Sequence, residues 1–232
     1  NIDTISGLVF NAWGDRSFDA PYGVWFDGDW DKPRLDDPAI QKGLSDYAGL
    51  MQAGPSDILS YNWNEAGNAF CNGQAAFFAD ASLFGPWFET DDCPVSKGNT
   101  GYMALPPQEK GGTSYTANWQ WGIGMGANAQ EKDAGWYFIQ YMTNKASEAV
   151  IGTFHGGAGR LSTWENDSYT STLNPDYVSA TLESMKTVRT SVVPVKDFNK
   201  YALEIMDVIL DIHGGASSED ATAKGNANFK AM

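Results

Sequence analysis

The side chains of this sequence best suited to recognition are a few carboxylates, one arginine and a pair of tryptophans. Asp80 directly follows the apolar run "QAAFF", where an open α/β sheet presents ligand-reading residues, although a turn or cap uses an aspartate equally well. Arg160 is the one formal charge in "HGGAGRLST"; its planar fork suits a ligand hydroxyl or carboxylate, and just as well a surface ion pair. The stretch "SYTANWQWGIGMGAN", residues 114–128, sets Trp119 and Trp121 one residue apart ahead of an apolar–glycine alternation. Aromatic faces are suited to the apolar C–H face of a sugar ring. The nine tryptophans are more than a core of this size needs, even with most of them buried.

Groups for catalysis are few. Of the two histidines, His213 ends an amphipathic helical pattern, where it faces the helix dipole, and His155 lies in a glycine-rich loop. No nucleophile elbow, zinc-protease helix, phosphate loop or calcium loop is spelled out. The glycines of "GIGMGAN" do not form a dinucleotide fingerprint and read as packing glycines, so neither a cofactor nor a metal is expected. A glycoside hydrolase would need two carboxylates facing each other across a bond, and Asp15 or Asp80 could supply one. Cys71 and Cys93 fit neither a metal pattern nor a redox pair; a disulfide, suited to an oxidising compartment, and two free thiols both stay open.

The bulk properties narrow the partners. The 232 residues could form one large domain or two modest ones, and 42% hydrophobic with 19% charged residues excludes a disordered chain. A net charge of -14 repels nucleic acid and anionic membranes and favours a neutral or cationic ligand. The sequence opens on Asn1 rather than Met, which points to a processed or truncated product.

These groups need elements to hold them. "ISGLVFNAWGD" reads as a buried strand ending at Trp13, "DDPAIQKGLSDYAGLMQAGP" as a helix capped by Asp37, and "YNWNEAGNAFCNG" as a second helix with Asn62 and Glu65 as its capping box. "QAAFFADAS", "TGYMALPP" and "WGIGMGAN" read as strands, and "EKDAGWYFIQYMTN" as a helix. "KASEAVIG" is a short helix before an irregular loop, "TFHGGAGRLSTWEN", and the remainder is helical. Strands alternating with helices early, and helices late, imply an α/β fold with a mixed sheet flanked by helices.

Taken in order, "KPRLDDPAIQKGLSDYAGLMQAGP", "NWNEAGNAFCNGQAAFFADAS", "GYMALPP", "WGIGMGANAQEKDAGWYFIQYMTN" and "GGAGRLSTWEND" resemble the extracellular solute-binding proteins of bacterial sugar-type ABC importers, the maltose-binding-protein-like group. The resemblance runs from about Asp3 to Phe229. It implies a periplasmic-binding-protein-like (type II) lobe, formed by residues 1–112 and 160–232, with residues 113–159 belonging to another lobe that is mostly missing. It also implies a binder rather than an enzyme, one that captures a small sugar or polyol between two lobes and delivers it to the membrane permease. Its place would be periplasmic or extracellular, with a lipid anchor at the cell surface as one form. Carried over by position, the ligand contacts are Trp13, Asp80, Ser82, Trp119, Trp121, Arg160 and Trp164. The competing classes are the glycoside hydrolase fragment, and an interaction scaffold that would need a large exposed apolar patch.

Overall fold

A computed structural model describes residues 2–119, 121–155 and 157–232, with the side chains of residues 154 and 155 left undescribed. The chain opens with α1 (Ile2–Trp13), not the expected strand. Ile2, Ile5, Ser6, Val9, Phe10 and Trp13 are all buried at three- and four-residue intervals, so the apolar run has a helical period. A loop then leads to α2 (Pro38–Gln52), where Asp37 caps the Ala39 N–H at 2.9 Å and Pro38 occupies the first turn. α1 and α2 cross closely at Gly43, where a Cβ would fall 2.6 Å from the Val9 Cα. Only a glycine allows that approach.

α3 (Trp63–Cys71) starts on the expected capping box of Asn62 and Glu65. α4 (Phe84–Phe88) follows the segment expected to be a strand, which is irregular, with bends at residues 74, 76 and 80, and joins no ladder among the described residues. Instead Phe70, Phe78, Phe84 and Phe88 pack ring on ring, with centroids 4.7–6.0 Å apart. Residues 101–107 and 121–126 likewise form no strand among the described residues.

β1 (Thr116–Asn118) precedes α5 (Lys132–Met142) and α6 (Lys145–His155), the latter extending beyond the short helix expected. Two short helices, α7 (Leu161–Trp164) and α8 (Asp167–Thr170), occupy part of the stretch read as loop and beyond it. α9 (Pro175–Met185), β2 (Val188–Thr190), α10 (Phe198–His213) and α11 (Ser218–Ala231) complete the order. The mixed sheet reduces, among the described residues, to a parallel pairing of β1 with β2 in which Thr116 faces Val188 and Asn118 faces Thr190. Parallel strands require a long crossover, and residues 119–187 supply it.

The main core lies among α1, α2, α10 and α11, around Phe10, Trp25, Phe26, Leu35, Ile40, Leu44 and Ile205. The α3–α4 aromatic cluster and a third cluster around Trp164, Tyr169 and Tyr177 stand apart from it.

Candidate functional site

The β1–β2 pair fixes a direction. α1 runs antiparallel to it: Asn11 near its end bridges Tyr115 through both backbone groups, while Asp3 near its start meets Ser191 just past β2. Ser191 Oγ lies 2.9 Å from the Asp3 carboxylate and 3.3 Å from the Asn118 carbonyl, and burial pushes the Asp3 carboxyl above the usual range. Ligands of open α/β folds bind beyond the carboxyl ends of the strands, and Trp119 follows Asn118 there directly. Trp119 and Trp121 meet edge to face at 6.4 Å and are 43% and 75% exposed. Two accessible ring faces on one short segment suit a molecule with both C–H and O–H surface.

Trp13 lies at the other end of the strands. It is buried, with the guanidinium groups of Arg16 and Arg34 3.7 and 4.7 Å from its ring centre, and its Nε1 donates to the Arg16 carbonyl. Helix α1 separates it from Asp3 by ten residues, about 15 Å. The carried-over ligand role therefore does not fit this position: Trp13 is core, as its helical rather than strand setting dictates. Beside it lies a polar bowl of about 400 Å³ lined by Arg16, Asp27, Arg34, Asp36 and Asp37, in which Arg16 pairs with Asp37 and Arg34 with Asp27. Asp15, the other carboxylate considered for hydrolysis, accepts the Tyr115 hydroxyl at 2.5 Å at this same end.

A second group of candidates gathers around α4 and the loop before α7. Asp80 accepts the Ala81 N–H at 2.7 Å and lies close enough to Tyr47 for its charge to add to the effect of burial in raising that phenol. Ser82 is exposed, and a Cβ on Gly157 would come within 3.4 Å of its Oγ. Gly157 itself has φ +69, a left-handed setting that glycine adopts freely. Trp164 is buried, so it offers no ring face to a ligand; its Nε1 holds the Ala158 carbonyl at 2.8 Å and shapes the loop from behind. Arg160 is spent on structure: its Nε pairs with Glu148 at 2.8 Å and its Nη2 donates to the Thr143 carbonyl at 2.7 Å, tying the loop to α6.

Cys71 and Cys93 are bonded, with Cα atoms 4.6 Å apart. The bridge encloses the segment that carries Asp80 and Ser82, and so pins it to the end of α3. Inside it, Glu89 accepts the Tyr102 hydroxyl at 3.0 Å and the Asn174 side-chain amide at 2.9 Å, which joins α4 to α9. Among the described residues no group of three or more potential ligands could hold a metal ion, and no helix is long and apolar enough to cross a membrane. The His155 side chain lies outside the described residues, and His213 closes α10.

Sequence reasoning missed the tyrosines. Tyr102, Tyr169 and Tyr177 pack with Trp164 and α4, with burial raising each phenol, yet one tyrosine in a loop and two on helices look like ordinary core in the sequence. It also missed Asp3 and Ser191, which no motif joins across 188 positions. A further feature is apolar exposure: α5 buries none of its residues, and Trp136, Tyr137, Phe138 and Tyr141 stand in solvent near Trp121, Ile123 and Met125 in sequence.

Comparison with known proteins adds the family. Residues 3–149, more than half of the chain, match the family described as bacterial extracellular solute-binding protein. The mannitol-binding protein of Pseudomonas aeruginosa is 29% identical over 190 residues, which cover 78% of this chain and 40% of that protein. A solute-binding protein of an ABC transporter from Agrobacterium radiobacter, solved with ribitol, superimposes with TM-score 0.77 at 18% identity over 98% of this chain and 56% of its own. The maltose-bound MalE3 of T. maritima superimposes with TM-score 0.74 at 19% identity, over 99% of this chain and 56% of its own. At such identities the structural likeness is one of fold, α/β and periplasmic-binding-protein-like. The chain spans about half the length of these relatives or less.

Proposed function

The chain belongs to the bacterial extracellular solute-binding proteins, and from that premise we propose that it is part of a binding protein that captures a small sugar or polyol for an ABC importer. The observation that carries this reading is the exposed Trp119–Trp121 pair at the carboxyl ends of β1 and β2. Mannitol and ribitol, the ligands named for two of the relatives, are neutral polyols, and a chain of net charge -14 favours a solute without negative charge.

Residues 1–112 and 160–232 form one lobe in this proposal, and residues 113–159 belong to a second lobe whose remainder packs on the exposed face of α5. That face is the one the sequence makes apolar without burying it. The two lobes close over the solute and the closed form docks on the membrane permease. Asp80, Ser82, Trp119 and Trp121 contact the solute, while Arg160 and Trp164 shape the loop beside them. The protein acts outside the cytoplasm, where a bridge such as Cys71–Cys93 persists.

A thermal-shift series on the full-length protein tests the reading. A polyol or sugar present at a hundred times its dissociation constant adds about 2.7 kcal/mol to stability. At least one of mannitol, ribitol, sorbitol, tagatose and maltose should raise the melting temperature; no shift with any of these or a wider panel of neutral sugars contradicts the assignment.

A further inference from the structure

The segment that leads into Trp119 is held at its root, residue by residue. The Thr187 hydroxyl donates to the Ser114 carbonyl at 2.5 Å, and the Ser114 hydroxyl donates to the Leu105 carbonyl at 2.5 Å. Asn11, buried in α1, accepts the Tyr115 N–H at 3.0 Å and donates to the Tyr115 carbonyl at 2.6 Å. The Thr116 hydroxyl donates to the Ser184 carbonyl at 2.8 Å, and Thr116–Asn118 then pair with β2. The hold ends there. Among the described residues, 121–126 join no strand, and a Cβ on Gly122, Gly124 or Gly126 would meet no atom within 4 Å.

One cation works at this root. Arg189 faces Ala117 across the strand pair and sets its guanidinium 3.5 Å from the centre of the Tyr115 ring, with Phe18 at 5.5 Å and Phe10 at 6.0 Å. The Tyr115 hydroxyl donates to Asp15 at 2.5 Å, so the ring is held on its face and at its tip while Asn11 holds its backbone. Burial pulls the Arg189 guanidinium below its usual range, with Tyr115 and Asp15 acting the other way, and an arginine stays charged in such a setting. A cation over a ring binds it more strongly as water is removed. Two strands of three residues each are marginal by themselves, so their placement comes from the side chains packed on them.

We propose that Arg189 is a positioning residue of the solute site: by packing on Tyr115 it fixes the root of β1, and through it where Trp119 and Trp121 stand when the solute arrives. The inference rests on the transport reading above and deepens it. Trp119 lies four residues beyond Tyr115, about 13 Å along an extended chain, so the guanidinium acts on the tryptophan pair through the strand rather than by touching a solute there. A lysine at this position keeps a cation for the ring but loses the planar face, and a methionine of similar length keeps apolar packing and loses the cation.

Full-length Arg189→Met and Arg189→Lys test this, by calorimetry with the sugar or polyol that the unaltered protein binds and by fluorine spectra of the same proteins labelled with fluorotryptophan. Arg189→Met should weaken binding about tenfold, and Arg189→Lys should recover most of that loss. Without solute, Arg189→Met should shift the fluorine resonances of Trp119 and Trp121, while those of Trp87 and Trp164, which belong to the other two clusters, stay in place. Arg189→Met that binds as the unaltered protein does, with Trp119 and Trp121 unmoved, would overturn the proposal. So would shifts of equal size at Trp87 and Trp164 together with a lowered melting temperature, which make Arg189 a general support of the fold. A full-length protein that binds no sugar or polyol would sink the transport reading instead, and the solute-free spectra would then still decide whether Arg189 places the tryptophan pair.

Discussion

Removing the Cys71–Cys93 bridge is the perturbation whose size follows most directly from the fold. The two residues are 22 apart in sequence, and closing a loop of that length in the unfolded chain stabilises the folded state by about 3 kcal/mol. Both cysteines are buried, at 1% and 0% exposure, so serine would add the cost of burying a hydroxyl. Cys71→Ala with Cys93→Ala is the cleaner change. For a folding unit of 150–250 residues, 3 kcal/mol corresponds to a drop in melting temperature of about 6–12 °C. Scanning calorimetry of the double variant, and of the unaltered protein under dithiothreitol, should give the same drop within a few degrees. Because the bridge encloses Asp80 and Ser82, solute affinity should fall as well. A melting temperature lowered by less than about 2 °C in both experiments would refute the reasoning that this loop is held chiefly by its covalent closure.

Gly43→Ala forces a Cβ onto the Val9 backbone at 2.6 Å and should destabilise by about 1–3 kcal/mol in urea titrations; a neutral result means that α1 and α2 cross less closely. Trp121→Ala, at an exposed position, should leave stability within about 0.5 kcal/mol while weakening solute binding severalfold by calorimetry. Asp37→Ala removes the α2 cap and should cost about 1 kcal/mol near neutral pH. The Arg16 guanidinium holds the Asp37 carboxyl below its usual range, so this contribution is present above pH ~4, the ordinary carboxylate range, and is lost as pH falls through the lowered folded value. Denaturation curves for the two proteins should accordingly converge in acid; a constant gap down to pH ~2 contradicts the linkage.

The helices with caps were readable in advance, because Asp37 with Pro38, and Asn62 with Glu65, are local signals that need no tertiary context. The opening helix was not. A twelve-residue run with three β-branched residues, Ile2, Ile5 and Val9, on its buried face reads as strand or helix alike, and burial against α2 decides. The runs at 74–82 and 101–107 have strand-like composition but find aromatic or side-chain contacts instead of ladder partners. Of the candidates chosen by their place in the chain, Asp80 is half-buried and Ser82, Trp119 and Trp121 are exposed, so these proposed solute contacts keep accessible surface. Trp13, Trp164 and Arg160 show the limit of carrying roles over by position: ring burial and an ion pair commit those side chains to holding structure. Tyr177 and Ser191 matter through contacts across more than 70 positions, which a single sequence does not encode.

Calorimetric titration of a polyol into the full-length protein and into the isolated 232-residue chain tests the two-lobe binding site most directly. A site enclosed from both sides loses about half its partners when one lobe is largely removed. Three neutral hydrogen bonds at about 1 kcal/mol each already amount to more than a hundredfold. The full-length protein should bind a mannitol- or ribitol-like polyol at micromolar concentration or better, and the isolated chain at least a hundredfold more weakly. Equal, sub-micromolar affinity for both would mean that the site is complete within these residues and that no second lobe closes over the solute.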